Sequence, residues 1–186
     1  MKILVCISQA PDTTSRIAFT EGDKAFDSSG VQYIVNPYDE WYALVRAIEL
    51  KEQQGGSVTT ITIGESGCDP IIRKALAIGA DDAIRVNAAP EDSMQVAQLI
   101  SEHAKSGAFD VILCGKETID HNGSVVPAML AELLDLPFVA LATSLEVENG
   151  IAKMTREVGG GEESVEVALP FVTSASKGMA EQRIPN

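Results

Sequence analysis

The chain has 186 residues, 45% hydrophobic and 22% charged, with 27 acidic side chains against 14 basic ones and a formal net charge of −13. That is enough apolar material for the core of one domain. The acidic balance excludes the basic footprint of a nucleic-acid binder and any attraction to an anionic membrane surface. A nucleotide stays open, because local backbone dipoles hold a phosphate against a global field. The three cysteines, Cys6, Cys68 and Cys114, form no C-x-x-C pair, and the only histidines are His103 and His121. Neither a disulfide framework nor a metal site is expected, and a reducing, cytoplasmic setting fits. The opening MKILVCIS is too short for a signal peptide. No apolar run reaches the roughly 20 residues of a membrane helix, so no membrane insertion is expected.

Lys2–Ser8 is a continuous apolar run, the mark of a strand buried on both faces of a parallel sheet. The loop QAPDTTSR follows, then short irregular strands over 17–35, a long excursion of the kind that often carries function. Asn36-Pro37-Tyr38-Asp39 reads as a helix start, with Asn36 as cap, Pro37 at the first helical position and Asp39 closing a capping box. Trp41, Leu44, Val45 and Ile48 make its apolar stripe, and Gly55-Gly56 ends it. Val58–Ile63 is a second core strand. Asp69-Pro70 opens a second helix with Ile72, Ala75, Leu76 and Ile78 inward, stopped by Gly79. Ala83–Val86 is a third strand and Ser93–Ser106 a third helix, with Val96, Leu99 and Ile100 inward. Phe109–Cys114 is a buried strand, Gly115–His121 a polar turn, and Asn122 the expected cap of a helix carrying Val125, Val126, Met129, Leu130, Leu133 and Leu134.

This alternation implies an α/β fold: a parallel, Rossmann-like sheet with helices on both faces. The last part, about 139–175, has no helical stripe. Asn149-Gly150 and Gly159-Gly160-Gly161 break it into an antiparallel hairpin extension beside the core. The whole of 1–186 reads as a single domain.

Loops at the carboxyl ends of parallel strands converge on one crevice. Cys6–Ala10, Gly64–Gly67 and Gly115–Ser124 are expected there, with Asn36–Asp39 nearby. These supply small side chains and backbone donors rather than a matched base and nucleophile, so no catalytic residue is assigned. No G-x-G-x-x-G follows the first strand, and neither a phosphate-binding G-x-x-x-x-G-K-[ST] loop nor a G-x-S-x-G elbow occurs. Lys116 is equally a phosphate contact or a solvated lysine. Cys6 and Cys114 read as small hydrophobes.

Five segments, KILVCISQAPDTT, NPYDEWYALVRAIELKE, IRKALAIGADDAIRV, VILCGKETID and TREVGGGEESVEVALPFV, stand in an order and spacing that resembles the beta subunit of electron-transfer flavoprotein over nearly the whole chain. The resemblance implies an adenine-nucleotide alpha-hydrolase-like fold and a heterodimer with an alpha subunit that holds most of the FAD. It implies a structural AMP in beta, with electrons arriving from dehydrogenases and leaving toward a quinone-reducing or other acceptor. Carried over by position, AMP contacts fall on Cys6, on Asn36, Pro37, Tyr38 and Asp39, on Ile63, and on Asp120, His121, Asn122, Gly123, Ser124, Val125 and Val126. Thr13 and Tyr38 match positions near the alpha-bound flavin. Lys177, Gly178 and Met179 fall in the family's partner-recognition loop, here about 176–183, with Met179 near its apolar anchor.

The chain departs from the family at HNGSVVP, where Val125 and Val126 replace hydrogen-bonding side chains. The loop QAPDTT resembles a branch whose beta subunit binds a second FAD and splits electron pairs. That reading ranks below AMP because HNGSVVP lacks the branch's polar signature. The sequence stops at RIPN, where the family continues with a basic arm around alpha, so a weakened heterodimer is expected if the chain is complete. A stand-alone stress-protein-type nucleotide module and an adenylating enzyme are the remaining alternatives. The latter is disfavoured because SQAPDTT stands where a Ser-Gly-Gly-type loop would be.

Overall fold

Strand β1 (Lys2–Cys6) lies inside an eight-stranded sheet, with Ile3, Leu4 and Val5 fully buried. The computed structural model describes residues 1–181 and Arg183. After β1 come the small strands β2 (Gln9–Pro11), β3 (Phe19–Thr20), β4 (Ala25–Phe26) and β5 (Tyr33–Val35), which pair among themselves as β2–β5 and β3–β4. The chain then alternates through α1 (Asp39–Gln54), β6 (Ser57–Ile63), α2 (Asp69–Ile78), β7 (Asp82–Val86), α3 (Ser93–Gly107), β8 (Val111–Gly115) and α4 (Val126–Leu134). It closes with β9 (Phe138–Glu148), β10 (Ile151–Val158), β11 (Gly161–Ala168) and β12 (Phe171–Ala175).

The strand order is β11-β10-β9-β12-β8-β1-β6-β7. All pairings from β9 to β7 are parallel, and β10 and β11 add an antiparallel edge. One face packs on α1 and α2 through residues such as Leu44, Ile48 and Ile71. The other packs on α3 and α4 through Ala97, Ile100 and Leu130. Each fully buried Leu or Ile contributes about 1.5–3 kcal/mol by leaving water.

The expected C-terminal antiparallel extension is present as the β10–β11 hairpin on the edge strand β9, and the structure narrows its bounds within 139–175. Its run Ser164–Ser174 divides at Leu169-Pro170, and Phe171–Ala175 returns as a fully buried parallel strand between β8 and β9. Only β10 and β11 form the antiparallel part.

The helix starts also differ. Asn36 lies three residues ahead of α1. The cap position is Tyr38, in the left-handed region with φ 65° and no side-chain capping bond. Asn122 likewise does not cap α4; Val125 precedes the helix, and Asn122 lies in the loop with φ 50°. In α2, Ile71, Ala75 and Ile78 are buried, whereas Leu76 is exposed. The end of α1 matches the sequence expectation. Gly55 and Gly56 have φ 76° and 113°, and a Cβ on Gly56 would overlap the Met1 backbone. No helix among the described residues is long and apolar enough to cross a membrane.

Candidate functional site

The chain passes from β1 outward through β6 to β7, then returns to the other side of β1 as β8. The carboxyl ends of β1 and β8 therefore diverge, which is where open α/β sheets leave a crevice. A cavity of about 530 Å³ opens there, a volume in the range of small-molecule sites. Its walls come from the end of β1 and its loop (Cys6–Gln9), from Ile61, Ile63 and Gly64, from the loop after β7 (Ala88–Ser93), and from the segment between β8 and α4.

Of the sequence-derived candidates, Cys6, Ile63, Asp120, His121, Gly123, Ser124, Val125 and Val126 lie on these walls. Pro37, Tyr38 and Asp39 do not. They border a second hollow of about 230 Å³ with Tyr42, Lys116 and Lys177. Asn36 is fully buried between loops. Its backbone N–H donates to Ser8 O at 2.9 Å, its Oδ1 accepts from the Ile119 N–H at 2.9 Å, and its Nδ2 donates to Ser8 Oγ at 3.2 Å and Asp120 Oδ1 at 3.4 Å. It thus ties the segments after β1, β5 and β8 into one unit. Asn122 sends its backbone N–H to Thr118 O at 2.8 Å, and its side chain turns, like the Ser124 hydroxyl, to the Glu117 carboxylate.

Thr13 and Tyr38 are exposed, Tyr38 by 53%. Lys177 and Gly178 are exposed in a tight turn in which the Met179 N–H donates to Ser176 O at 3.1 Å. Met179 itself is buried against the core. Its side chain is therefore not presented as an apolar anchor; the turn folds it inward. Gln182 and Ile184–Asn186, and with them parts of the recognition loop and of RIPN, lie outside the described residues.

The loop before α4 has a consequence for anions. Ser124 has φ 52° and Val125 is right-handed helical, and such a left-right alternation turns successive N–H groups to one side. Among the described residues, the N–H groups of Gly123, Ser124, Val125 and Val126 have no hydrogen-bond acceptor. All four residues line the cavity. Gly123, Ser124 and Val125 are exposed and Val126 is half-buried, so the row stands open on the cavity wall, where its N–H groups can donate to water or to a ligand.

Side-chain charge works against an anion. Lys116 is the only Lys or Arg on the walls among the described residues. Its Nζ lies 3.1 Å from Glu117 and 3.8 Å from Asp39. The bond to Glu117 raises the Lys116 pKa and lowers that of Glu117. At the inner end Cys6 and Cys114 touch, and that hydrogen bond, with burial, keeps the Cys6 thiol protonated well above its ordinary range. The thiols are free, and they are small apolar wall elements.

Sequence reasoning missed Glu40 and the Ala88–Ser93 loop. The loop was available from the rule that located the others, since it follows the carboxyl end of parallel strand β7. Glu40 is an acidic residue in the first turn of α1, a place where a carboxylate needs no partner to be accounted for. It is 7% exposed, and its carboxylate accepts from Ser8 N–H at 2.6 Å and Ser8 Oγ–H at 2.9 Å. Burial pushes its pKa up to about 8; the Ser8 bonds oppose this, and Asp120 and Asp39 reinforce it. A carboxyl that ionises higher in the folded state than its ordinary value near 4.5 favours the native state at low pH. That contribution is full below the unfolded value and is lost as pH rises through the folded one. Stability is therefore expected to decline between about pH 5 and pH 8, and Glu40→Gln is expected to flatten the decline, read as urea midpoints at pH 5, 7 and 9.

The family model for the electron transfer flavoprotein domain matches residues 23–185. The chain is 35% identical over 190 residues to the electron transfer flavoprotein subunit beta of Bacillus subtilis and 39% identical over 192 residues to that of Syntrophomonas wolfei. Each pairing covers all of this chain and 73% of the relative. The human subunit beta is 30% identical over 195 residues, covering all of this chain and 76% of its own length.

The chain belongs to the electron transfer flavoprotein family, among its beta subunits. The domain match starts at residue 23 and so omits β1 and its loop, one wall of the cavity. The pairings with the beta subunits cover that wall as well.

Proposed function

We propose that this beta subunit holds one AMP in the cavity at the ends of β1 and β8 as a structural ligand, while FAD held with an alpha subunit carries the electrons. The row of unbonded N–H groups from Gly123 to Val126 supports this most directly, because it offers four donors to a phosphate where no free lysine or arginine stands. The base lies toward Cys6 and Ile63 at the strand ends. Gln9 Oε1, buried on the same wall without a partner, accepts from the ligand. Asp120, His121 and Asn122 complete the phosphate loop. Asn36 acts by holding that loop rather than by touching the nucleotide.

Pro37, Tyr38 and Asp39 border the neighbouring hollow, so their role lies toward the flavin side, with Thr13 exposed beside the same excursion. Lys177 and Gly178 form the exposed part of the turn on which electron-donor dehydrogenases dock. In this reading the subunit is a carrier component in the cytoplasm that passes electrons toward a quinone-reducing or other acceptor, with no catalytic residue of its own.

The test is the small-molecule content of the complex co-purified with its alpha subunit. One FAD and one AMP per heterodimer are expected. Two FAD and no AMP would assign the cavity to a second flavin, and a complex without any nucleotide would overturn the reading.

A further inference from the structure

Glu40 is a carboxyl on the wall of the cavity with no cation in reach. From the loop after β1 it meets the Ser8 N–H and hydroxyl, and its own charge helps hold the Cys6 thiol on β1 protonated. From β8, Gly115 packs on its backbone and Cγ; Asp120 in the following loop and Asp39 on its own helix bring negative charge. The remaining titratable walls are Glu65, Glu91, Asp92 and Glu117, all acidic, Lys116, which Asp39 and Glu117 already engage, and the exposed His121, whose Nε2 lies 3.6 Å from Asp120.

We propose that Glu40 is a proton-holding positioning residue: when a phosphate-bearing nucleotide enters the cavity, Glu40 takes up a proton and stays neutral beside it. The proposal rests on the nucleotide reading above. The physical cause is charge. A phosphate adds negative charge to a partly desolvated site whose only lysine is committed, so the neutral acid becomes the favoured form. The neutral acid still accepts from Ser8, so the loop after β1 stays in place.

The supporting shift in Glu40 sets the conditions for the experiment. Near pH 8 the empty site is about half ionised, so binding is expected to draw up to about half a proton per AMP. The phosphate's own second ionisation, at pH about 6, is complete in the free nucleotide there, and any uptake by the bound phosphate would persist in Glu40→Gln. AMP is titrated calorimetrically into the nucleotide-stripped heterodimer in buffers of different ionisation enthalpy, and the slope gives the proton number. The AMP dissociation constant is expected to rise by up to about tenfold per pH unit above pH 9. Glu40→Gln is expected to bind AMP with no proton uptake and a flat profile. AMP binding without uptake by the unaltered protein, or undiminished uptake in Glu40→Gln, would overturn the proposal. The unaltered protein decides this alone if the variant does not fold. Failure of the unaltered protein to bind AMP would instead sink the nucleotide reading.

Discussion

Gly115→Val is expected to destabilise the protein by about 3 kcal/mol or more, at the upper end of overpacking costs in a filled core. A Cβ at Gly115 would stand 2.7 Å from the backbone nitrogen and Cγ of Glu40 and 3.1 Å from the Asp39 carbonyl carbon. Two of those neighbours are backbone, in the first turn of α1, and they cannot rotate away. Moving that turn would pull Glu40 from Ser8 and Asp39 from Lys116, and would open the wall between the two hollows. The midpoint of thermal unfolding should fall by roughly 6–12 °C, taking about 2–4 °C per kcal/mol for a chain of this size. Gly115→Ala should show most of the loss, because the first carbon makes the clash. A midpoint within about 1 °C of the unaltered protein would show that the start of α1 slides freely, contrary to the packing described.

Asn36→Ala is expected to cost about 2–3 kcal/mol and to weaken AMP binding at least tenfold. The substitution leaves the half-buried Ile119 N–H without its acceptor at 2.9 Å and removes the donor to Asp120 and to Ser8 Oγ. The loop that carries Gly123–Val126 loses its tether, so its N–H groups no longer converge before the ligand arrives. Hydrogen exchange at the Ile119 amide should accelerate in the variant, and nucleotide titration of the heterodimer should show the weaker binding. Asn36→Asp separates shape from charge. It keeps the acceptor for Ile119 but brings a third carboxyl beside Asp120 and the Ser8–Glu40 pair, so it should bind AMP poorly even where it folds. If Asn36→Ala binds AMP as tightly as the unaltered chain, the loop holds its shape without the tether.

Some of this was open to the sequence and some was not. The apolar runs of β1, β6 and β8 and the glycines after α1 and α2 identified a parallel sheet with flanking helices, because burial on both faces and a left-handed stop each leave a local mark. The convergence of three loops followed from the carboxyl-end rule. The cap assignments at Asn36 and Asn122 failed for a physical reason. Both residue types satisfy a helix start locally, but here longer-range partners claim them, Ser8, Ile119 and Asp120 for Asn36 and the Thr118–Glu117 turn for Asn122. The misread of β12 had a usable signal. Phe171–Ala175 is a continuous buried run, whereas β11 alternates near the surface, and that contrast separates a central strand from an edge.

The sequence by itself determined the alternation of strands and helices, the family, and the strongly acidic balance of the chain. These are sums over the chain or patterns within a dozen residues. Only the tertiary structure decided that Asn36 is a tether, that Met179 faces inward, that Asn36–Asp39 split between an interior knot and a second hollow, and that Glu40 is held away from water at the cavity wall. Each of those depends on which distant segment arrives alongside, and pairing across a sheet is a long-range matter that local patterns do not encode.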